Sequence, residues 1–164
     1  MFQLKPISRE SIPVALEKAE RYRLLNEPWQ AESICMDILE AEPDNRKAIV
    51  TLILAITDDF GASSLADMNR ARQLLLRLPE YERHYYAGLI CERQGNSMFN
   101  KHTPNSDFTA YEWLIDAMEY YEKAEAIRPQ GNDDSILRWN TCARLIMHYD
   151  LKPRDEKYIE QPLE

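Results

Sequence analysis

Prolines and short polar clusters cut this chain into pieces of helix length, which narrows sharply what it can fold into. Pro13, Pro28, Pro43, Pro79, Pro104 and Pro129 punctuate it at intervals that each hold one or two helices. Proline breaks a helix interior, and the residue before proline avoids the helical region. Within the intervals apolar side chains recur three and four residues apart, as on a helix with one buried face. Only two valines (Val14 and Val50) and four glycines are present, beside many Ala, Leu, Glu and Arg. A Rossmann, P-loop or all-β fold would lack the residues it needs.

The pattern predicts about seven helices. The first spans about Ser11 to Leu25, with Ser11 as N-cap and Pro13 in the first turn, where a missing N–H does no harm. The second runs from Trp29 to Ala41 and stops at Glu42-Pro43-Asp44-Asn45. The third covers Arg46 to Thr57, with Ile49, Leu52, Ile53 and Ile56 on one face. Asp58 to Ser64, with Gly61, reads as a loop. Ser64 caps a fourth helix to Leu78, and Pro79 ends it. The fifth is expected from Tyr81 to Gln94, stopped by Gly95-Asn96. Residues 96–106 then read as an inserted loop. Ser106 or Asp107 caps a long sixth helix to about Ile127, and the seventh runs from Asp133 to Met147. Residues 150–164, with Pro153 and Pro162, read as a poorly ordered charged tail.

The chain has 164 residues and 19.3 kDa, one domain's worth, here residues 1–149. Its net charge of −8 disfavours a nucleic-acid backbone as partner. No stretch reaches the ~18–20 apolar residues of a membrane span, and no signal-peptide run follows Lys5 and Arg9. Three scattered cysteines, Cys35, Cys91 and Cys142, fit a reducing compartment, so a cytoplasmic location is expected.

Internal spacing narrows the helical class. Ala31, Cys35, Ile38 and Pro43 stand at the same intervals as Ala117, Tyr121, Ala124 and Pro129. Ala19 and Tyr22 precede the first set, and Gly88 and Gly95 lie seven apart in the third unit. These offsets resemble the tetratricopeptide repeat, whose pattern sets small residues at helix crossings, an aromatic one towards the next hairpin, and a proline after the second helix. The resemblance covers about Ile12 to Met147. It implies an all-α, right-handed solenoid of helical hairpins, about three repeats plus a C-terminal capping helix. The units would be about 12–45, 46–79 and 80–131, and the cap 132–148. Unit two has a longer inter-helix loop, and unit three carries the insertion before Ala117.

Nothing in the sequence has the spacing of a catalytic centre. Gly61, Gly88, Gly95 and Gly131 are too isolated for a phosphate loop. His84, His102 and His148 lack metal-ligand spacing, and Ser63 and Ser64 have no nucleophile motif. Asp58-Asp59 and Asp133-Asp134 read as helix-end charge, Asp133 where an N-terminal dipole favours it. Tyr85, Tyr86, Tyr111, Trp113, Tyr120 and Tyr121 read as inter-repeat core, and Trp139 as lying under the capping helix. No enzyme activity, cofactor or metal is expected.

The resemblance further implies that the first helix of each unit lines a concave groove. The usual groove positions fall on Leu16, Glu20 and Arg23, then on Lys47, Val50, Leu54 and Thr57. They continue at Tyr85, Leu89, Glu92 and Arg93, and on Ile136, Asn140 and Arg144 of the last helix. Helical period itself places Lys47, Val50 and Leu54 on one stripe, and Tyr85, Leu89 and Arg93 on another. The expected role is non-catalytic: a groove of Arg23, Lys47, Val50, Leu54, Tyr85, Leu89, Arg93, Asn140 and Arg144 binding a segment of a partner protein. In this reading the cations meet the partner's polar groups, or they pair with Glu20 and Glu92. Met98, Phe99 and His102 of the insertion form a second candidate surface, either a docking knob or a cover folded back on the hairpin. A monomer or weak homodimer is expected. Two other roles fit the same features: a chaperone-like holder of a secreted or assembly partner, and an accessory subunit sensing a small ligand.

Overall fold

The computed structural model describes residues 1–58 and 65–154. Seven α-helices lie among them, α1 Ile12–Leu24, α2 Pro28–Ala41, α3 Arg46–Asp58, α4 Leu65–Leu75, α5 Glu80–Asn100, α6 Ser106–Ala126 and α7 Asp134–Tyr149, and no strand. The protein is therefore all-α. The chain divides into two compact units, Met1–Tyr86 and Ala87–Glu164, and the division falls inside α5.

In the first unit α2 packs against both α1 and α3, α1 also reaches α3, and α3 packs on α4. Ala19 on α1 and Ala31 on α2 are fully buried. Side chains this small let helix axes approach closely. Cys35, Ile38, Ile49 and Ile53 fill the interior beside them. Ile12, Ile38 and Ala48 form one cluster, over which Ile7, Leu16 and Ile34 pack. Asn45 starts α3 by accepting the Ala48 N–H on its side-chain oxygen at 2.9 Å, an N-cap bond.

Ser11 does not cap α1. A 3-10 turn, Arg9–Ser11, precedes the helix, so Ser11 already has helical backbone angles, and its hydroxyl donates to the Ser8 carbonyl at 2.7 Å. Helix α4 stops at Leu75 rather than Leu78. The N–H groups of Leu76, Arg77 and Leu78 reach back three residues, the tighter turn common at helix ends, before Pro79. Asp59, Gly61, Ser63 and the expected cap Ser64 lie outside the described residues.

In the second unit the expected stop at Gly95-Asn96 is overturned: α5 continues to Asn100. Gly95 serves helix packing instead. A Cβ there would stand 3.1 Å from Leu114 Cγ and 3.3 Å from the Ala110 carbonyl, both on α6. Gly88 is tighter still, since a Cβ would fall 2.6 Å from the Tyr121 ring. The 96–106 insertion thus shrinks to five residues, 101–105, with His102 and Asn105 in the left-handed region. Ala110, Leu114, Ala117, Tyr121 and Ala124 form the buried face of α6, which packs on α7 around Cys142. Asp133 makes no side-chain cap bond; the Asn132 oxygen accepts the Asp134 N–H in its place. Trp139 is half-buried and donates its indole N–H to Glu122 at 3.0 Å. Leu151, which the sequence assigns to the tail, is buried, and its N–H bonds the Ile146 carbonyl at 3.0 Å. Residues 155–164 lie outside the described residues.

Candidate functional site

The first unit carries a cavity of about 740 Å³. Glu20, Arg23 and Leu24 of α1 line one side. Arg46, Lys47, Val50, Thr51 and Leu54 of α3 form the floor, and Glu82 and Tyr86 of α5 close the far side. A second depression of about 400 Å³ runs beside the start of α1, lined by Arg9, Ile12, Pro13 and Leu16 among others. Glu20 and Lys47 line both, so the two depressions share an edge.

Helical geometry explains the lining. Lys47, Val50, Thr51 and Leu54 lie three and four residues apart, so they share one stripe of α3. Two arginines span the cavity walls as two-pronged ion pairs. Arg23 donates from Nε and Nη2 to the Asp58 carboxylate at 2.7 and 3.0 Å, tying the end of α1 to the end of α3. Arg46 grips both carboxylate oxygens of Glu82, tying α3 to α5. Such forks hold geometry as well as charge. Lys47 and Glu20 are exposed and form no ion pair among the described residues.

Of the expected groove residues, Arg23, Lys47, Val50 and Leu54 come together here. Arg23 takes Asp58 as its partner rather than Glu20. Tyr85 is absent from the lining. Its ring stacks on Tyr81 at 6.1 Å and meets the Tyr86 ring edge-on at 5.1 Å. Tyr86 takes its place, because Glu82, held by Arg46, fixes which stripe of α5 turns to α3, and Tyr86 is one turn on from Glu82. Leu16 lines the smaller depression, and Thr57 is buried with its hydroxyl on the Ile53 carbonyl.

Leu89, Arg93, Asn140 and Arg144 belong to the second unit. Leu89 is buried, within a stretch of α5 buried on every side from Ala87 to Glu92. Arg93 and Asn140 are half-buried, and Arg144 is exposed. Met98 and Phe99 sit on the last turns of α5, half-buried, rather than in a loop. The Phe99 ring lies 4.6 Å from Tyr149 and 5.9 Å from His102, so this surface folds back on α7.

The second unit also holds a polar group inside its core. Glu92, 4% exposed, accepts the Tyr121 hydroxyl at 2.5 Å and pairs with Arg138 at 3.2 Å. Burial, reinforced by the Glu92 charge, pushes the Tyr121 phenol far above its ordinary range. Burial likewise pushes the Cys35 and Cys142 thiols up to about 12. These thiols stay protonated at neutral pH and act as small apolar side chains, not as nucleophiles. The repeat resemblance placed Glu92 in the groove and missed this network. Its signal is a glutamate directly following the apolar run Gly88-Leu89-Ile90-Cys91, which a buried stretch tolerates only with partners.

Among the described residues no group of three His, Cys, Asp or Glu converges as a metal site would need, and no helix is long and apolar enough to cross a membrane. No protein-family model matches the chain, and no curated protein or solved structure is similar enough to it to count as a match.

Proposed function

We propose that this chain is a tetratricopeptide-like module, a right-handed stack of about three helical hairpins and a capping helix, that binds a segment of a partner protein without chemistry of its own. The observation that carries the reading is the lining of the first-unit cavity. It is drawn from α1, α3 and the start of α5, the first helices of successive hairpins, as the repeat resemblance implies for a binding groove. Val50, Leu54 and Tyr86 offer apolar contact there. Arg23 and Arg46 are already neutralised by Asp58 and Glu82, which leaves Lys47 to orient a carboxylate or carbonyl of the partner. The three buried free thiols suit a reducing compartment, which supports a cytoplasmic setting.

The volume of about 740 Å³ also lies in the range of small-molecule pockets, which favours ligand sensing as a second reading. The test is comparative affinity purification from the native host with the unaltered chain, Lys47→Glu and Val50→Glu, each checked by circular dichroism. A protein recovered with the unaltered chain and lost with both folded variants supports the groove. Equal recovery with all three overturns it.

A further inference from the structure

We propose that the N-terminal arm, residues 1–7, docks in the first-unit groove of a second copy of the chain, so that two copies exchange arms. This rests on the groove being a binding surface. The arm has no helical structure, and its large apolar side chains are uncovered: Phe2 is 102% exposed and Leu4 87%. Only its base is anchored, where Ile7 packs over the Ile12–Ile38–Ala48 cluster. Within the single chain, therefore, Phe2 and Leu4 cover nothing, and the groove beside the arm is open as well. Leu24 on the groove's edge is 88% exposed, above Val50, Leu54 and Tyr86.

The two surfaces match in form and charge. Side chains two apart on an extended segment point the same way, so Phe2 and Leu4 can enter one apolar trough together. Lys5 follows them, and the groove offers the carboxylate of Glu20, which makes no ion pair among the described residues. Arg23 and Arg46 do not oppose it, since Asp58 and Glu82 already neutralise them. The trough leads towards the arm's own root, because the smaller depression beside it is lined by Arg9, Ile12 and Pro13. An aromatic side chain buries about 150–250 Å². The two Phe2 rings then bury about 300–500 Å², below the ~1,200 Å² at which tight specific interfaces begin, so the dimer is weak and depends on concentration. Reciprocal exchange closes on itself as a two-fold dimer.

Sedimentation velocity over a concentration series, on the full chain, tests this. The unaltered chain should show a concentration-dependent dimer, and the double variant Phe2→Ser, Leu4→Ser should lose it. Both positions are on the exposed arm, so the helices stay folded. Lys5→Glu and Glu20→Lys should each weaken the dimer, and their combination should restore it. Lys47→Glu, which removes a like charge from the arm's path, should leave the dimer as strong or stronger, while the same change weakens partner capture. Loss of partner capture alone and loss of the dimer alone are thus separate results. A chain that stays monomeric at every concentration overturns the proposal, as does a dimer unaffected by the arm substitutions. A monomer whose arm amides are protected from hydrogen exchange also overturns it, by placing the arm on its own chain.

Discussion

A carboxyl group buried beside Leu89, Ile90 and Cys91 would be costly alone, and Tyr121 and Arg138 are what make Glu92 tolerable there. The packing is matched to that bond, since Gly88 leaves room for the same Tyr121 ring that reaches Glu92. Tyr121→Phe removes the hydroxyl and leaves the buried carboxylate one donor short. A loss of about 1–3 kcal/mol in urea-unfolding stability is expected. Gly88→Ala forces the ring aside and should lose a similar ~1–3 kcal/mol through overpacking. Gly95→Ala should cost less, because its nearest contacts stand at 3.1–3.3 Å rather than 2.6 Å and alanine regains about 1 kcal/mol of helix propensity. A Gly95→Ala chain less stable than Gly88→Ala would contradict this ordering. Periodicity located these residues on helices; the repeat offsets marked Gly88 as a crossing, while Gly95 read as a helix stop. It could not show Glu92 turned inward, because a glutamate on a helix ordinarily marks the solvent side.

Helix existence and order were legible from proline spacing and apolar period, and α1, α2, α3, α6 and α7 begin and end within about two residues of where those signals put them. The failures came where a residue with two meanings was read by its commoner one. Glycine near a polar residue reads as a helix stop, but Gly95 is wanted for close approach to α6, and that need exists only once the helices are packed. The groove shows the same limit: a one-residue rotation of α5, set by the Arg46–Glu82 fork, exchanges Tyr85 for Tyr86. Extending α5 to Asn100 gives Phe99 its place against Tyr149. Phe99→Ala should therefore leave most of the helix intact and unprotect its last turn. Hydrogen exchange should rise at residues 97–101 and at the end of α7, with little change at Leu89 or Ile90. Uniform loss of protection along α5 would mean that Phe99 supports the whole element.

On the scale of the whole chain, a charge of −8 and deeply buried acids set how stability depends on pH. Cys35 lies in the first unit and Cys142 in the second, each held at about 12 against an ordinary value of 9.0, chiefly by burial. Tyr121 is raised above its ordinary 10.0 for the same reason, and the Glu92 charge adds to it. A raised pKa in the folded state means that the native chain keeps protons which the unfolded chain releases. Above pH 9 the unfolded state therefore binds fewer protons, and stability must fall as pH rises. Each buried thiol contributes at most ~1.4 kcal/mol per pH unit across that window, and nothing below it. The urea midpoint is expected to fall steadily from pH 9 to 11 after a level stretch between pH 7 and 8.5. Growing self-repulsion of an acidic chain acts in the same direction, so the thiol share must be isolated. Cys35→Ala and Cys142→Ala lose side-chain volume at every pH, but each should make the alkaline slope shallower. If both variants keep the full slope, the thiols are not the groups that couple this fold to pH.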